Sequence, residues 1–426
     1  MHSLRLLGAG ALGAALFMAV PIAQNGFGVR PALAQDALRP AVGLPLAKAK
    51  NLMAAHNFAA AQAQVAIADR QKNKTANEQF VIQEMRGAIA QASGDTATAS
   101  RVFADLINSG RLAGAQLTQM LMAETSLSYQ SKDYPGTLSW AAKYFKSGGK
   151  EPSIRTLVIQ AYYLQNDYAN AAKAQQAQIN EEIAARKVPP EDQLQLLAAC
   201  QKQINDSAGL QKTMTQLVVY YPKPSYWADL IYAVQTNPSF SDRLELDLDR
   251  FKLHVGTLTA ESDFMQMAQL ALGENDPGGA MGVIAEANDL HAFGAPAQAA
   301  REQRLTVLAT KMADATKAGL DKAEKDLASS PATSSEQMFD LGQNFASFKQ
   351  YDKGVAMMQA AIAKGDLRRP ELAQLRVGEA LVDAGEKAPA TAAFEKVPAT
   401  TDGTSELAHL WLLWLKTQAT LQPAPH

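Results

Sequence analysis

The stretch Leu127-Ser128-Tyr129-Gln130-Ser131-Lys132-Asp133-Tyr134, followed by Leu138, Ala141, Ala142 and Tyr144, is answered further on by a second copy of itself. That copy reads Ala161-Tyr162-Tyr163-Leu164-Gln165-Asn166-Asp167-Tyr168, followed by Ala171, Ala172 and Ala174. Tyr134 and Tyr168 lie 34 residues apart (168 − 134). Each segment reads as a helix, a short polar turn ending in Asp-Tyr, and a second helix that starts with small side chains. A period of this length marks stacked helix pairs that share one continuous core. Similar turns follow at Asn57-Phe58, Gly94-Asp95, Asn205-Asp206, Asn275-Asp276-Pro277, Gln350-Tyr351 and Gly385-Glu386.

Towards the C-terminus, Leu341-Gly342 and Phe345 precede Tyr351, Gly354, Met358 and Ala361, and Val377-Gly378 and Leu381 precede Ala390, Ala393 and Phe394. From about Leu44 onward the chain resembles the tetratricopeptide repeat family in a degenerate form that lacks the tryptophan often found in the first helix. The resemblance implies an all-α fold, a right-handed α-α superhelix, and the turn spacings suggest about ten helix pairs, eight recognisable and two irregular. It also implies that a small residue of each first helix faces a small residue early in the second. Here those pairs are Gly342 with Gly354, Gly378 with Ala390, and Ala268 with Ala280. Close approach of two helix backbones requires small side chains at the contact.

Five segments are expected: a signal peptide over 1–34, repeats over 35–221, an irregular Pro-containing insert over 222–260, degenerate repeats over 261–335, and repeats with a final helix over 336–426. Pro222, Pro224 and Pro238 break the insert into short pieces. Leu244, Leu246 and Leu248 alternate as in a strand, but Leu244, Leu248 and Phe251 also form a helical stripe, and helix is preferred. The stretch from Tyr221 to Arg243 resembles one found in uncharacterised exported repeat proteins of Gram-negative bacteria. Residues 296–327 read as one long helix or two nearly continuous ones. Leu407 to Leu421, with Trp411 and Trp414, reads as a cap over the last open face; a partner-docking helix is the alternative.

Export is expected from the N-terminus. Arg5 precedes an apolar stretch from Leu6 to Ala23, and Ala32-Leu33-Ala34 offers a cleavage site before Gln35. Gly8, Gly10, Gly13 and Pro21 argue against a retained membrane anchor, so no integral span is expected after cleavage, and the mature protein is expected to be periplasmic or secreted. A single cysteine, Cys200, excludes an intrachain disulfide framework. The formal net charge of −2 provides no basic field for phosphates, which argues against nucleic acid as a partner. Hydrophobic residues make up 47% of the chain, enough to build a core.

No constellation for catalysis, cofactor or metal binding emerges. Gly8-Ala9-Gly10-Ala11-Leu12-Gly13 satisfies G-x-G-x-x-G, but it lies within the export signal with no strand before it. Ser147-Gly148-Gly149-Lys150 satisfies S-x-x-K, but the glycines end a helix there. The six histidines are scattered, without metal-ligand spacing. Asp247 and Asp249 read as part of a solvated helix face, and Cys200 as a small buried thiol.

The remaining surface is the concave groove that the resemblance places along the first helix of each pair. Met122, Ser126, Tyr129, Gln130, Thr156, Gln160 and Tyr163 are the candidate ligand contacts, with Gln119 and Ser153 on the same face. Family members that bind C-terminal carboxylates use Lys, Arg and Asn, and the corresponding sites here carry Met122, Ser126, Thr156 and Gln160. The lining therefore points to a protein or peptide partner, with a glycan polymer as the alternative. Tyr129 and Tyr163 either stand partly exposed in that groove, with Tyr134 and Tyr168 packed between helices, or pack between repeats themselves. The expected function is a non-enzymatic periplasmic scaffold in envelope or secretion-machine assembly; the alternative is a carbohydrate-binding module assisting polysaccharide export.

Overall fold

A computed structural model describes residues 37–329 and 334–420. The expected signal peptide, its cleavage site and the glycine motif within it lie outside the described residues. Among the described residues fourteen α-helices come first, and short turns join twelve of them two by two. The pairs are α1 (Pro40–Ala54) with α2 (Phe58–Asp69), α3 (Ala76–Ser93) with α4 (Thr96–Asn108), α5 (Gly114–Gln130) with α6 (Tyr134–Lys146), α7 (Pro152–Leu164) with α8 (Tyr168–Ala184), α9 (Glu191–Gln203) with α10 (Ser207–Tyr220), and α13 (Glu261–Gly273) with α14 (Pro277–Asp289); between the last two pairs lie α11 (Pro224–Gln235) and α12 (Glu245–His254), separated by residues 236–244. The long α15 (Ala299–Ser329) follows. After it come α16 (Ser335–Ser347) with α17 (Tyr351–Lys364), α18 (Pro370–Asp383) with α19 (Lys387–Phe394), and α20 (Thr404–Thr420). The fold is all-α among the described residues.

All eight turns read from the sequence fall at the hinge of a pair, and they share one construction. The first helix closes on a left-handed residue: His56, Gly94, Lys132, Asn166, Asn205, Asn275, Lys349 or Gly385. The next residue returns its N–H to a carbonyl five residues back, as Asp133 does to Ser128 at 2.9 Å and Asp167 to Tyr162 at 2.9 Å. These bonds satisfy the free carbonyls of the helix end. That same residue then caps the second helix. The side chains of Asn57, Asp95, Asp133, Asp167, Asp206 and Asp276 each accept a backbone N–H three residues on. C-cap and N-cap are fused, so the hairpin needs almost no loop.

At the hinges of Asn57, Asp95, Asp276, Gln350 and Glu386, small side chains sit eight residues before the cap and four after it. A Cβ on Gly342 would lie 2.8 Å from the Gly354 carbonyl oxygen, and one on Gly354 would lie 2.6 Å from that of Gly342. Ala268 and Ala280 are likewise buried in one cluster. In the third expected pair Ala390 is fully buried, and Gly378 also backs onto the ring of Phe394, one turn further along α19. Gly87 of α3 meets Phe103 and Val102 in the same manner.

The chain divides into two compact units, the first ending at Ala161 and the second beginning at Tyr162. Unit 1 is a stack of small clusters between neighbouring helices. One gathers Val42, Leu46, Val65, Ile82 and Ile89, and the next gathers Val102, Phe103, Leu106, Met120 and Leu127.

Unit 2 departs from a regular stack. Residues 245–254 are helical, and α12 is buried on more than one side. Leu248 and Phe251 join one apolar cluster while Leu246 joins another, which accounts for the alternation of leucines in the sequence. Residues 299–329 form one helix without a break. Helix α20 packs on α18 and α19, as a cap would, but also on α10. Its Trp411 is fully buried, stacked on Phe394 at 5.7 Å and edge-on to Phe251 at 5.0 Å.

Candidate functional site

In unit 1 the candidate residues lie on the first helices of successive pairs. Met122 and Ser126 of α5 are half-buried, and the Ser126 hydroxyl donates to the Met122 carbonyl at 3.0 Å. Gln119 and Gln130 are exposed. On α7, Thr156 is exposed, whereas Ser153 and Gln160 are half-buried. Tyr129 is half-buried because its ring leans on Tyr134, centroids 5.8 Å apart. Burial, and then the neighbouring Tyr134, push its hydroxyl pKa up.

One residue of this face escaped the sequence reading. Glu84 of α3 stands eleven residues before its cap Asp95, as Met122 stands before Asp133 and Thr156 before Asp167. It accepts a hydrogen bond from the Gln116 side chain of α5 at 2.6 Å, which ties adjacent first helices together. Burial pushes its pKa up to about 7, against the opposing pull of Gln116. The turn spacing alone was enough to find it. Glu124, on the packed side of α5, is 1% exposed. It accepts from the Ser100 hydroxyl at 2.6 Å, and its other oxygen has no partner. Desolvation pushes this carboxyl to about 7 as well.

In unit 2, Tyr163 is also half-buried. Its ring stands edge-on to Tyr168 at 5.3 Å and packs on the cluster that holds Cys200. Both tyrosines keep part of their surface open. Each pairs with the tyrosine five residues on, across its own hinge. Cys200 is buried, and burial pushes its thiol up to about 11, which makes it a poor nucleophile at neutral pH. Ser147 hydrogen-bonds the carbonyl of Tyr144 at 2.7 Å, a helix-end role.

The solvated reading of Asp247 and Asp249 is overturned, because both are buried. The cause is tertiary, since α12 lies against α18. Three contacts join the two helices: Asp247 to Arg376, Arg250 to Glu379 at 3.2 Å, and His254 to Asp383 at 3.2 Å. Each spans 129 residues, so α12 and α18 run parallel in a fixed register. Arg250 also reaches Asp276 at 3.1 Å, and Arg376 reaches Glu274 at 2.6 Å. Burial pushes Asp247 up, but Arg376 and Arg250 override it and leave its pKa below the usual range. Glu379 is held well above the usual range by burial and by the Asp247 carboxylate, to which it hydrogen-bonds. The ladder is a structural lock, with its carboxylates turned inward on arginines.

Among the described residues no cluster of His, Cys, Asp or Glu has the arrangement of a metal site, and no helix is long and apolar enough to cross a membrane. No family model matches the chain, and no curated protein matches it. Solved structures similar to it include the following three. The tetratricopeptide domain of P58(IPK) is 13% identical over 89% of this chain and 99% of its own, with a TM-score of 0.22. Yeast Tom70 is 10% identical over 89% of this chain and 96% of its own, with a TM-score of 0.24. The Cut9–Hcn1 hetero-tetramer of APC/C is 13% identical over 90% of this chain and 70% of its own, with a TM-score of 0.24.

Proposed function

We propose that this protein is a non-enzymatic periplasmic scaffold that holds an extended segment of a protein partner along the first-helix face of unit 1. The observation that carries this reading is the chemistry of that face. Gln119, Met122, Ser126, Gln130, Thr156 and Gln160 present amide, hydroxyl and thioether groups to solvent, and Glu84 is the carboxyl among them. Side-chain amides at helical spacing can hydrogen-bond the backbone of an extended peptide while a thioether accepts its apolar side chains. A peptide is favoured over a glycan because Tyr129 turns its ring towards Tyr134, and sugars stack on open ring faces. The periplasmic part rests on Arg5, the apolar stretch and Ala32-Leu33-Ala34. A role in assembling an envelope or secretion machine is the setting we assign to such a scaffold.

A photo-crosslinking residue placed at Gln119 or Thr156 in the full chain tests the face, with Ser139 on the second helix of its pair as control. The expected result is a discrete protein adduct from the first two positions, absent from Ser139 and lost with Met122→Lys. Equal labelling from all three positions would overturn the reading. Fractionation tests the compartment, with release of a chain beginning at Gln35 expected and an intact chain in the cytoplasm counting against it.

A further inference from the structure

The run of hinges has a gap within α15. Asp314 lies 38 residues after the cap Asp276 and 36 before the cap position Gln350 (314 − 276, 350 − 314), so a hinge is due there. Instead α15 runs straight through. The residue before Asp314 is Ala313, where the hinges have a left-handed Gly, Asn, His or Lys. Four residues beyond Asp314 stands Ala318, the place held in other second helices by the buried Ala280, Gly354 and Ala390. Ala318 is exposed. Its helix has the sequence of a hairpin arm and no opposite arm.

One side of α15 is satisfied, since Leu305, Ala309, Ala313 and Leu320 are buried against neighbouring helices. On the other side Val307 is 62% and Leu308 50% exposed, over a shallow depression of about 360 Å³ lined also by Gln303, Arg304 and Lys311. Large apolar side chains thus occupy the N-terminal half of this face, and the small Ala315, Ala318 and Gly319 the C-terminal half. The charges divide as well. Arg304 and Lys311 precede Asp314 and Asp321, and among the described residues none of the four has an ion-pair partner.

We propose that this face pairs antiparallel with the same face of a second copy of the chain. With residue 312 of one copy beside residue 313 of the other, Val307 and Leu308 cover Ala318 of the second copy. In the same register Lys311 meets Asp314 and Arg304 meets Asp321, each contact formed twice by the two-fold axis. Lys322 and Lys325 then oppose Gln303 and Ala300, so neither of them is set opposite a like charge. Residues 300–325 give roughly 39 Å of helix for the seam. The interface goes beyond the peptide-binding reading and uses a different surface.

Sedimentation equilibrium of the full chain tests the proposal. The expected result is a reversible monomer–dimer equilibrium. Lys311→Glu and Asp314→Lys should each weaken it about tenfold or more, because each sets like charges opposite one another. The two together should restore it, a rescue that generic damage to α15 does not produce. Circular dichroism of each variant, expected unchanged, separates loss of pairing from loss of fold. Under oxidation, a Val307→Cys, Ala318→Cys chain should form a covalent dimer, with the buried Cys200 contributing no background. A chain that stays monomeric at several hundred micromolar would overturn the inference, as would a dimer that survives both single reversals.

Discussion

Arg376 grips Asp247 with both prongs of its guanidinium, Nε at 2.9 Å from one carboxylate oxygen and Nη2 at 3.0 Å from the other, across 129 residues of chain. The carboxylate is 0% exposed. Two-pronged pairing fixes direction as well as distance, so it sets the register between α12 and α18. The neighbouring rungs, Arg250 with Glu379 and His254 with Asp383, then follow without slippage.

Asp247→Asn should therefore destabilise unit 2 strongly. It leaves Arg376 and Arg250 half-satisfied in the interior, and breaking a buried pair from one side costs about 3–5 kcal/mol. Urea unfolding followed by tryptophan fluorescence reads this directly, since Trp227 and Trp411 both lie against the α12 residue Phe251. A midpoint within error of the parent would mean the ladder carries no stability.

Gly342→Leu should force apart α16 and α17. Even a Cβ would stand 2.8 Å from a backbone oxygen, which cannot swing away as a side chain could. Overpacking of this kind costs about 1–3 kcal/mol, visible as a lower thermal midpoint. Gly319→Ala is the matched control, since nothing lies within 4 Å of its added methyl.

Trp411→Ala should cost about 3–5 kcal/mol as a large-to-small change in a packed core. The ring touches Phe251, Phe394, His254 and Trp414, so its loss opens a cavity shared by α12, α19 and α20. Calorimetry of the full chain checks the loss.

Unit 1 should lose stability as pH rises from about 4.5 to about 7. Glu84 and Glu124 are both held up to about 7 in the folded chain, above the ordinary carboxyl value of about 4.5. The folded state therefore binds more protons across that interval, and unfolding becomes easier as they leave. Glu124→Gln keeps the shape without the charge. It should raise stability at pH 8, change little at pH 4, and flatten the pH profile in between, as measured by denaturant titration.

The hinges were legible because their chemistry is local. A left-handed residue, an Asn or Asp cap and a small side chain four residues later all lie within one short stretch, so spacing alone located Asn57, Asp95 and Asp276. The long helix α15 was legible only as one helix or two nearly continuous ones, and the choice falls to one because Ala313 does not favour the left-handed turn that Asp314 would need. The state of Asp247 was not legible. Its partners Arg376 and Glu379 are brought close by tertiary packing, and nothing near Asp247 in sequence announces them. The raised pKa values of Glu84 and Glu124 were hidden similarly, because the helices that desolvate them belong to neighbouring segments. The tyrosine pairs lay between these cases: the five-residue spacing was visible, but the pairing of Tyr129 with Tyr134 depends on how tightly the hinge closes.

Repeat stacks ordinarily grow one neighbour at a time, so that each new pair rests only on the last. Unit 2 does not have that freedom. Helix α20 rests on α10, and 184 residues separate Tyr220 from Thr404 (404 − 220). The Ser241 N–H is likewise held by the carbonyl of Asp402 at 2.8 Å. A chain delivered from its N-terminus can assemble the contacts of unit 1 early, while α10 and α11 must wait, with apolar surface open, until the final helix arrives. The interval between synthesis of Tyr220 and of Trp411 is therefore the period in which this protein is most exposed to aggregation and proteolysis, and in which a holding chaperone would matter most.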